Sequence, residues 1–473
     1  MTGLTREISD KLRNIVGVKG WVDDPDVMAP YLTEWRGLTT GKSPVVLRPG
    51  STEEVAAIVK ICAEHDLPIV PQGGNTGMVG GGIPSAAGDQ ILINLGRMSR
   101  IRELDPLDYT VTVEAGCVLA DLQMAAKVED RLFPLSLGAE GSCQIGGNLA
   151  TNAGGILTVR YGNMRDLVLG LEVVLPDGRV WNGLRKLHKN NTGYDLKQLF
   201  IAAEGTLGII TAATLKLFPL PQHVAIAMAA VPSPQASVEL LSELRSQTGD
   251  AITAFELMPR LALELACRHL PGVVDPFAAP HPWYTLIEVG AGGRQSDIGA
   301  ALEEVLVGAM ERELVLDAVV AQNMAQGQQF WHMRESLAEI QKEEGGAIRH
   351  DISVPVSRVP QFLEAATAAV LELMPDARPM PFGHVGDGNI HFNILKPAGI
   401  DSKTFQAQTA DMNEVVHDIL LSMGGSISAE HGIGAVRRGE LARTADPLEL
   451  ELMRGIKAML DPRGLMNPGK LLP

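Results

Sequence analysis

Cysteine is scarce in this chain of 473 residues, which holds four, Cys62, Cys117, Cys143 and Cys267, none in a C-x-x-C pair. So few in so long a chain do not make a disulfide framework, and a zinc ribbon, which needs paired cysteines, is excluded. Long apolar runs are also missing, with no uninterrupted stretch near the roughly 20 residues that a membrane-spanning helix needs. Positive charge is in deficit, with 40 Lys and Arg against 56 Asp and Glu and a formal net charge of −16. Such a surface repels nucleic acid and anionic lipid, which argues against polyanion binding. Residues 1–17 carry Arg6, Glu7, Asp10, Lys11 and Arg13 and no apolar core, so no signal or transit peptide is expected. A cytoplasmic location follows as the expectation. No G-x-G-x-x-G follows an expected strand, which disfavours a Rossmann nicotinamide site. The Walker-like run from Gly37 to Ser43 is one residue short between its glycines and precedes the nearest strand, so it reads as coil.

Glycine, by contrast, is plentiful, with 50 residues concentrated in a few loops. Clusters of this kind suggest backbone approaching a ligand, because glycine removes the side chain that would hold it away. Hydrophobic residues at 45% and charged residues at 20% are an ordinary globular balance. Ser51–Thr52–Glu53–Glu54 is a capping box followed by the stripe Val55, Ile58, Val59, Cys62 at helical spacing. Strands are expected at 68–71, 91–95, 110–114 and 167–175, making a first α+β domain over 1–221. Beyond Pro221 the pattern becomes strand 224–231, helix 233–248, strand 251–257, strand 283–289, helix 295–312 and strand 314–321. This is the order of a ferredoxin-like antiparallel sheet, expected to be covered on one face. Helices at 325–342, 359–374 and 402–423 complete a second domain over 222–423. The C-terminal segment 424–473 carries one more helix, 447–460, and is expected to return to the first domain.

The glycine loop after the first strand runs Pro71, Gln72, Gly73, Gly74, Asn75, Thr76, Gly77. Its successive amides can line a concave anion-binding nest, with side-chain bonds from Asn75 and Thr76. A second stretch, from Pro134, Leu135 and Gly138 through Ser142, Gly146 and Gly147 to Asn152, Gly154 and Gly155, has small or amide side chains almost throughout. A purely structural role would waste that much packing volume, so a flat ligand lying on the backbone is the better reading. Glu204, Gly208 and Ile209 lie in a third such run that closes the domain.

Residues 383–393 contain His384, His391 and Asn393. A two-residue turn at Asp387–Gly388 would set His384 opposite His391 on one face of a hairpin, with Asn393 projecting from the same face. Separately, Glu430 and His431 stand side by side among flexible glycines. Two histidines and one carboxylate with a coordination position left open make a catalytic metal set.

These segments, in this order and ending at Asn467–Pro468–Gly469–Lys470, resemble the vanillyl-alcohol-oxidase type FAD flavoproteins over essentially the whole chain. Within that group the chain is most similar to the FAD-linked D-lactate, glycolate and D-2-hydroxyglutarate dehydrogenases, the last being nearest in motif detail. The resemblance implies FAD in the glycine segments, with Asn467 beside it, and oxidation of a D-2-hydroxy acid, best a diacid such as D-2-hydroxyglutarate or D-malate, to the 2-oxo acid. D-lactate or glycolate is the alternative substrate, and a metal-dependent hydrolase the distant alternative. His384, His391 and Glu430 match the family's ligands for a divalent metal, zinc best, and His431 matches its catalytic base. Hydride transfer beside that base implies that the second domain caps the flavin of the first. Arg334 matches an arginine used on the substrate carboxylate. Arg349 stands where relatives carry lysine, and Ala338 where they offer a hydroxyl; both depart from the pattern. The first glycine loop has no His or Cys to tether FAD, and Cys143 reads as a small buried thiol, so non-covalent binding is expected. An electron acceptor such as electron-transfer flavoprotein or a quinone, and a homodimer, are further implications.

Overall fold

The Ser51 hydroxyl accepts the N–H of Glu54 and caps the helix Thr52–Glu64, whose stripe Val55, Ile58, Val59 and Cys62 is buried. That stripe shares a core with Ile69, Ile91 and Ile93, from the parallel strands Ile69–Gln72 and Ile91–Asn94. The protein is described by a computed structural model over residues 4–293 and 297–473. Two units make it up. The first holds the described residues up to Gly154, then Asn163–Pro219 and Glu430–Pro473; the second holds Gly155–Gly162 and Leu220–Ala429. The sequence-based division at 221 and 423 therefore shifts to 219 and 429, and Gly155–Gly162 passes to the second unit. Two sets of hydrogen bonds hold residues 155–162 and the chain up to Ala429 in the second unit. Arg160 donates to the carbonyls of Gly290 (2.6 Å) and Ala251 (3.3 Å), and Ser426 and Ala429 donate to the carbonyls of Ser353 and Asp351 at 2.8 and 3.2 Å.

The first unit contains a mixed four-stranded sheet, which includes the two parallel strands above, and a five-stranded antiparallel sheet. The latter runs Ile101–Asp105, Thr110–Glu114, Ile209–Lys216, Val168–Val174, Val180–Gly183 in spatial order. Beneath it Arg102 pairs with Glu114 and Glu172 at 3.3 and 3.1 Å. The Walker-like run is coil, with Thr40 bridging to Thr33.

The second unit opens on a four-stranded antiparallel sheet in the order Ile252–Pro259, Trp283–Ala291, His223–Val231, Asp317–Val320. With helices Pro234–Gln247 and Ile298–Glu311 as the crossovers, this is the ferredoxin-like topology. The expected helix 295–312 begins outside the described residues, at Gln295 and Ser296. Cover on one face alone is not what the structure has. Ser237, on the first crossover helix, meets Thr285 at 2.8 Å. The alternate residues Met228, Ala230, Met258, Tyr284 and Leu286 point the other way, into a second core with Phe330, Met333, Met380 and Phe382. Both faces are thus buried, because both alternating sets are apolar.

That second core joins the sheet to another, in which Asn389–Leu395 lies between Arg378–Phe382 on one side and Ala347–Ile348 with Asp351–Ser353 on the other. Two expected helices are broken. The first becomes Met324–Glu335 and Leu337–Glu343, the second Ser402–Gln406 and Thr409–Ser422. No helix among the described residues is long and apolar enough to cross a membrane.

Candidate active site

In the first unit two glycine segments lie side by side. A Cβ on Gly74 would fall 2.1 Å from the Ser142 carbonyl oxygen, and one on Gly73 3.5 Å from the Gly147 nitrogen. At Gly74 only glycine lets the backbones meet, whereas at Gly73 a Cβ would make an ordinary contact. Asn75 takes a left-handed φ of 56° and donates to the carbonyls of Pro30 and Thr33 at 3.0 and 2.9 Å. Its side-chain NH2 therefore anchors the loop, where the sequence pattern assigns that amide to a ligand; Thr76 is half-buried and Gly77 exposed beside it. Gln72 fastens the other end through Tyr31 and Gly82 at 2.8 and 2.9 Å, and Pro71 precedes it in the same strand.

Other glycines face open space. No atom among the described residues lies within 4 Å of a Cβ built on Gly77, Gly138, Gly141 or Gly147. Gly146 instead abuts Ala115, and Gly208 abuts Val173 and Val174. Gly208 and Ile209 thus serve the sheet, with Ile209 paired to Val174. Pro134 and Leu135 are buried, and the Leu135 carbonyl accepts from Gln123. Ser142 is exposed. Asn152 closes the helix Ile145–Thr151 in the left-handed region and accepts the Arg165 N–H at 2.8 Å. Gly154 is the last residue before the chain enters the second unit at Gly155.

Buried oxygens of Gln144, Asn148 and Asn467 have no protein partner among the described residues. Open glycine faces with nearby orphaned amides suit a flat, polar-edged ring system such as a flavin nucleotide. Burial pushes the Cys143 thiol above its usual range, against the lowering effect of the Asn148 amide. Such a thiol is a poor nucleophile.

Glu204 and Asn467 work as ties. The Glu204 carboxylate accepts the N–H groups of Ile433 and Gly434 at 2.8 and 2.7 Å, fixing the turn just after His431. Asn467 donates to the carbonyls of Gly81 and Glu204 at 3.0 and 2.7 Å. These bonds gather three distant stretches of the chain around one loop.

In the second unit the site is made of side chains. The hairpin register differs from expectation. Phe382 stands opposite His391, and residues 383–388 form a longer loop in which the His384 carbonyl accepts the N–H groups of Asp387 and Gly388. The loop lengthens because Gly383 pairs with Leu257 (2.9 and 3.1 Å) and Gly386 donates to Phe255 (3.2 Å), tying it to the first sheet. His384 and His391 nevertheless meet, with ring centroids 5.6 Å apart. Asp351 stands opposite His391 on the other side, with Nδ1 and Oδ1 4.0 Å apart. The backbone N–H of Ala429 bonds to Asp351, and Glu430 and His431 are the next two residues.

Glu256 was not anticipated. It is wholly buried. Its Oε1 lies 2.5 Å from His384 Nδ1, and its Oε2 accepts from Arg334 Nε at 2.7 Å. Burial pushes its carboxyl up, but Arg334 and His384 outweigh that and hold it at about 2. The signal was present, a lone acid in the apolar strand Ile252–Pro259. Arg334, 7% exposed, lies over the Phe382 ring at 4.8 Å, and Phe382 is 5.3 Å from the His391 ring. Asn393 donates to Gln341 at 3.2 Å. Gln341, also not anticipated, lies among the buried residues of the helix Leu337–Glu343. Arg334 Nη2, Gln341 Nε2 and Asn393 Oδ1 are buried without a protein partner among the described residues, a cost that a polar ligand would relieve. Arg349 donates to the Ala338 carbonyl at 3.0 Å, which joins the two positions that depart from the family pattern.

Comparison with known proteins agrees with this division of labour. Residues 220–471 match the family described as FAD linked oxidases, C-terminal domain, and residues 43–183 match the FAD binding domain. The chain belongs to the FAD-linked oxidase family. It is an FAD-linked oxidoreductase. It is 39% identical over 463 residues to a probable mitochondrial D-2-hydroxyglutarate dehydrogenase of Oryza sativa subsp. indica, covering 98% of this chain and 81% of that one. It is 38% identical over 448 residues to a D-2-hydroxyglutarate dehydrogenase of Xanthomonas citri, covering 95% and 93%. Among solved structures, p-cresol methylhydroxylase with substrate bound superposes with a TM-score of 0.73 at 18% identity, covering 98% of this chain and 95% of that one. At that identity the likeness concerns the fold, which is α+β as expected.

Proposed function

We propose that this chain oxidises D-2-hydroxyglutarate, or a related D-2-hydroxy diacid such as D-malate, to the 2-oxo acid. FAD is held without a covalent bond, and a divalent metal, zinc best, is held by His384, His391 and Glu430. Each of these three residues offers one ligand atom, and two imidazoles with one carboxylate are a donor set suited to zinc with a position left for substrate. The observation that carries the reading is the group of buried, unpartnered polar atoms on Arg334, Gln341 and Asn393, beside the two histidines. An anionic, hydroxyl-bearing ligand would satisfy them.

Bound FAD supplies a hydride acceptor, and a bound metal ion a Lewis acid that lowers the hydroxyl's pKa. His431, neutral, takes the hydroxyl proton as C2 loses its hydride and the C–O bond becomes a carbonyl. Arg334 and Arg349 bind the distal carboxylate, and Asn393 orients the hydroxy-acid end. In a chain of net charge −16 a dianion must be recruited locally, and planar guanidinium forks do this well. Electron-transfer flavoprotein or a quinone would take the electrons onward.

Steady-state assay of the purified protein with an artificial dye acceptor and a panel of D- and L-2-hydroxy acids tests this. D-2-hydroxyglutarate should exceed D-lactate in kcat/KM by about ten- to a hundredfold, the worth of one charge-assisted contact. Chelation should abolish turnover, leave the flavin spectrum nearly intact, and be reversed by added zinc. A preference for D-lactate overturns the diacid, and full activity after verified metal removal overturns the metal.

A further inference from the structure

We propose that Glu256 is the positioning residue that holds the metal-binding and the substrate-binding ends of the site in one buried unit. The inference rests on the roles given above to His384 and Arg334. Each carboxylate oxygen has its own partner, His384 Nδ1 on Oε1 and Arg334 Nε on Oε2. The three residues come from three separate elements, namely the strand Ile252–Pro259, the helix Met324–Glu335 and the loop after Arg378–Phe382. Glu256 pairs with Leu286 in the sheet register, which directs it into the core that holds Phe330, Met333 and Phe382.

The backbone reinforces the placement. Residues on either side of Glu256 clamp the histidine loop, Phe255 through Gly386 and Leu257 through Gly383. The strand that carries the carboxylate therefore also fixes the loop that carries the imidazole.

Two consequences follow. A carboxylate on Nδ1 holds His384 with its proton there and directs Nε2, as a lone-pair donor, to a metal; such partners orient a ligand and raise its basicity. The same carboxylate takes Arg334 at Nε, which leaves Nη2 buried without a protein partner among the described residues and presented to a substrate carboxylate. Glu256 thereby sets the spacing between the two ends.

Glutamine is nearly isosteric but offers only one acceptor oxygen, so its NH2 must face either the His384 N–H or the Arg334 N–H. Wild type, Glu256→Gln and the double variant Glu256→Gln/Arg334→Met, purified with FAD bound and stripped of metal, are titrated with Zn²⁺ against a chromophoric chelator. Zinc affinity should fall about 10–100-fold in Glu256→Gln and stay low in the double variant, which carries no orphaned guanidinium. FAD content should match wild type in both. Binding of 2-oxoglutarate, read from the flavin absorbance, should weaken at least tenfold in Glu256→Gln, and Glu256→Asp should recover part of both losses.

Zinc binding within twofold of wild type in Glu256→Gln, or regained in the double variant, overturns the proposal. If the wild type itself takes up no zinc, the metal reading fails instead, and unchanged 2-oxoglutarate binding in Glu256→Gln then overturns the proposal on its own. Should the variants not fold, the wild-type ¹H spectrum decides. A far-downfield imidazole N–H resonance that is lost in His384→Ala supports the pairing, and its absence overturns it.

Discussion

The two units build their sites from opposite materials. The glycine loops of the first unit offer backbone and the absence of side chains; Gly74 lies against Ser142, and Gly147 faces open space. The second unit gathers charged and aromatic side chains, Glu256, Arg334, His384, His391 and Phe382, into a core. A backbone site fails by crowding where glycine lets two backbones touch, as at Gly74 against the Ser142 carbonyl, because a Cβ there meets atoms that cannot yield. A buried charged site fails by imbalance, because removing one member strands the others in a medium that solvates them poorly. The same ligand-binding task thus leaves different marks in the sequence, contiguous glycines in one case and scattered single residues in the other.

Imbalance should give the largest effect. Glu256→Ala strands Arg334 and His384 and should cost about 3–5 kcal/mol, the range for breaking a buried pair, seen as a lower urea midpoint by circular dichroism. A loss below about 1 kcal/mol would mean that water reaches these groups, and the contrast would collapse.

Crowding should come next, and it can be split from ligand contact. Gly74→Ala forces a methyl into the Ser142 carbonyl and should cost about 1–3 kcal/mol, with loss of bound flavin. Gly147→Ala meets no protein atom within 4 Å among the described residues and lies within the helix Ile145–Thr151. Stability without flavin should rise by about 0.5–1 kcal/mol, while flavin affinity falls because the methyl occupies the ligand's face. Flavin fluorescence titration measures the second effect. Unchanged affinity would remove Gly147 from the site.

The smallest effect belongs to the charges that the first unit does bury. Burial pushes Glu172 up, but Arg102, Thr52 and Thr211 outweigh it; for Glu114, Arg100 and Arg102 do the same, so both carboxyls lie below their usual range. A depressed folded pKa contributes stability that is full above the unfolded value, about 4.3 for Glu. That stability is lost as the pH falls through the folded value. Arg102→Leu should therefore lower the melting temperature at pH 7, with the difference from wild type shrinking as the pH falls below about 4.3 and closing below the depressed folded values. A difference that persists in acid would mean that Arg102 acts through packing.

Local signals explain much of what could be read in advance. The cap at Ser51, the stripe from Val55 to Cys62 and the helix Pro447–Leu460 are short-range patterns, and each element formed where it was expected. Ile8, Leu12 and Val16, buried at four-residue spacing in Arg6–Gly20, carry the same kind of signal. The ferredoxin-like order was legible because alternation and helical spacing follow one another along the chain. The register of Asn389–Leu395 was not. A short turn at Asp387–Gly388 was locally reasonable, but Gly383 and Gly386 bond to a strand more than a hundred residues away, and those bonds set the loop length.

By itself the sequence determined the element order, the glycine-lined backbone and the residue types able to hold a flavin, a metal and a carboxylate, because these depend on neighbours along the chain. Only the tertiary structure decided that the side-chain NH2 groups of Asn75 and Asn467 and the carboxylate of Glu204 bond to backbone. It alone decided that one buried carboxylate joins His384 to Arg334. A side chain's partner is fixed by whichever group long-range packing brings within about 3 Å, and spacing along the chain carries no record of it.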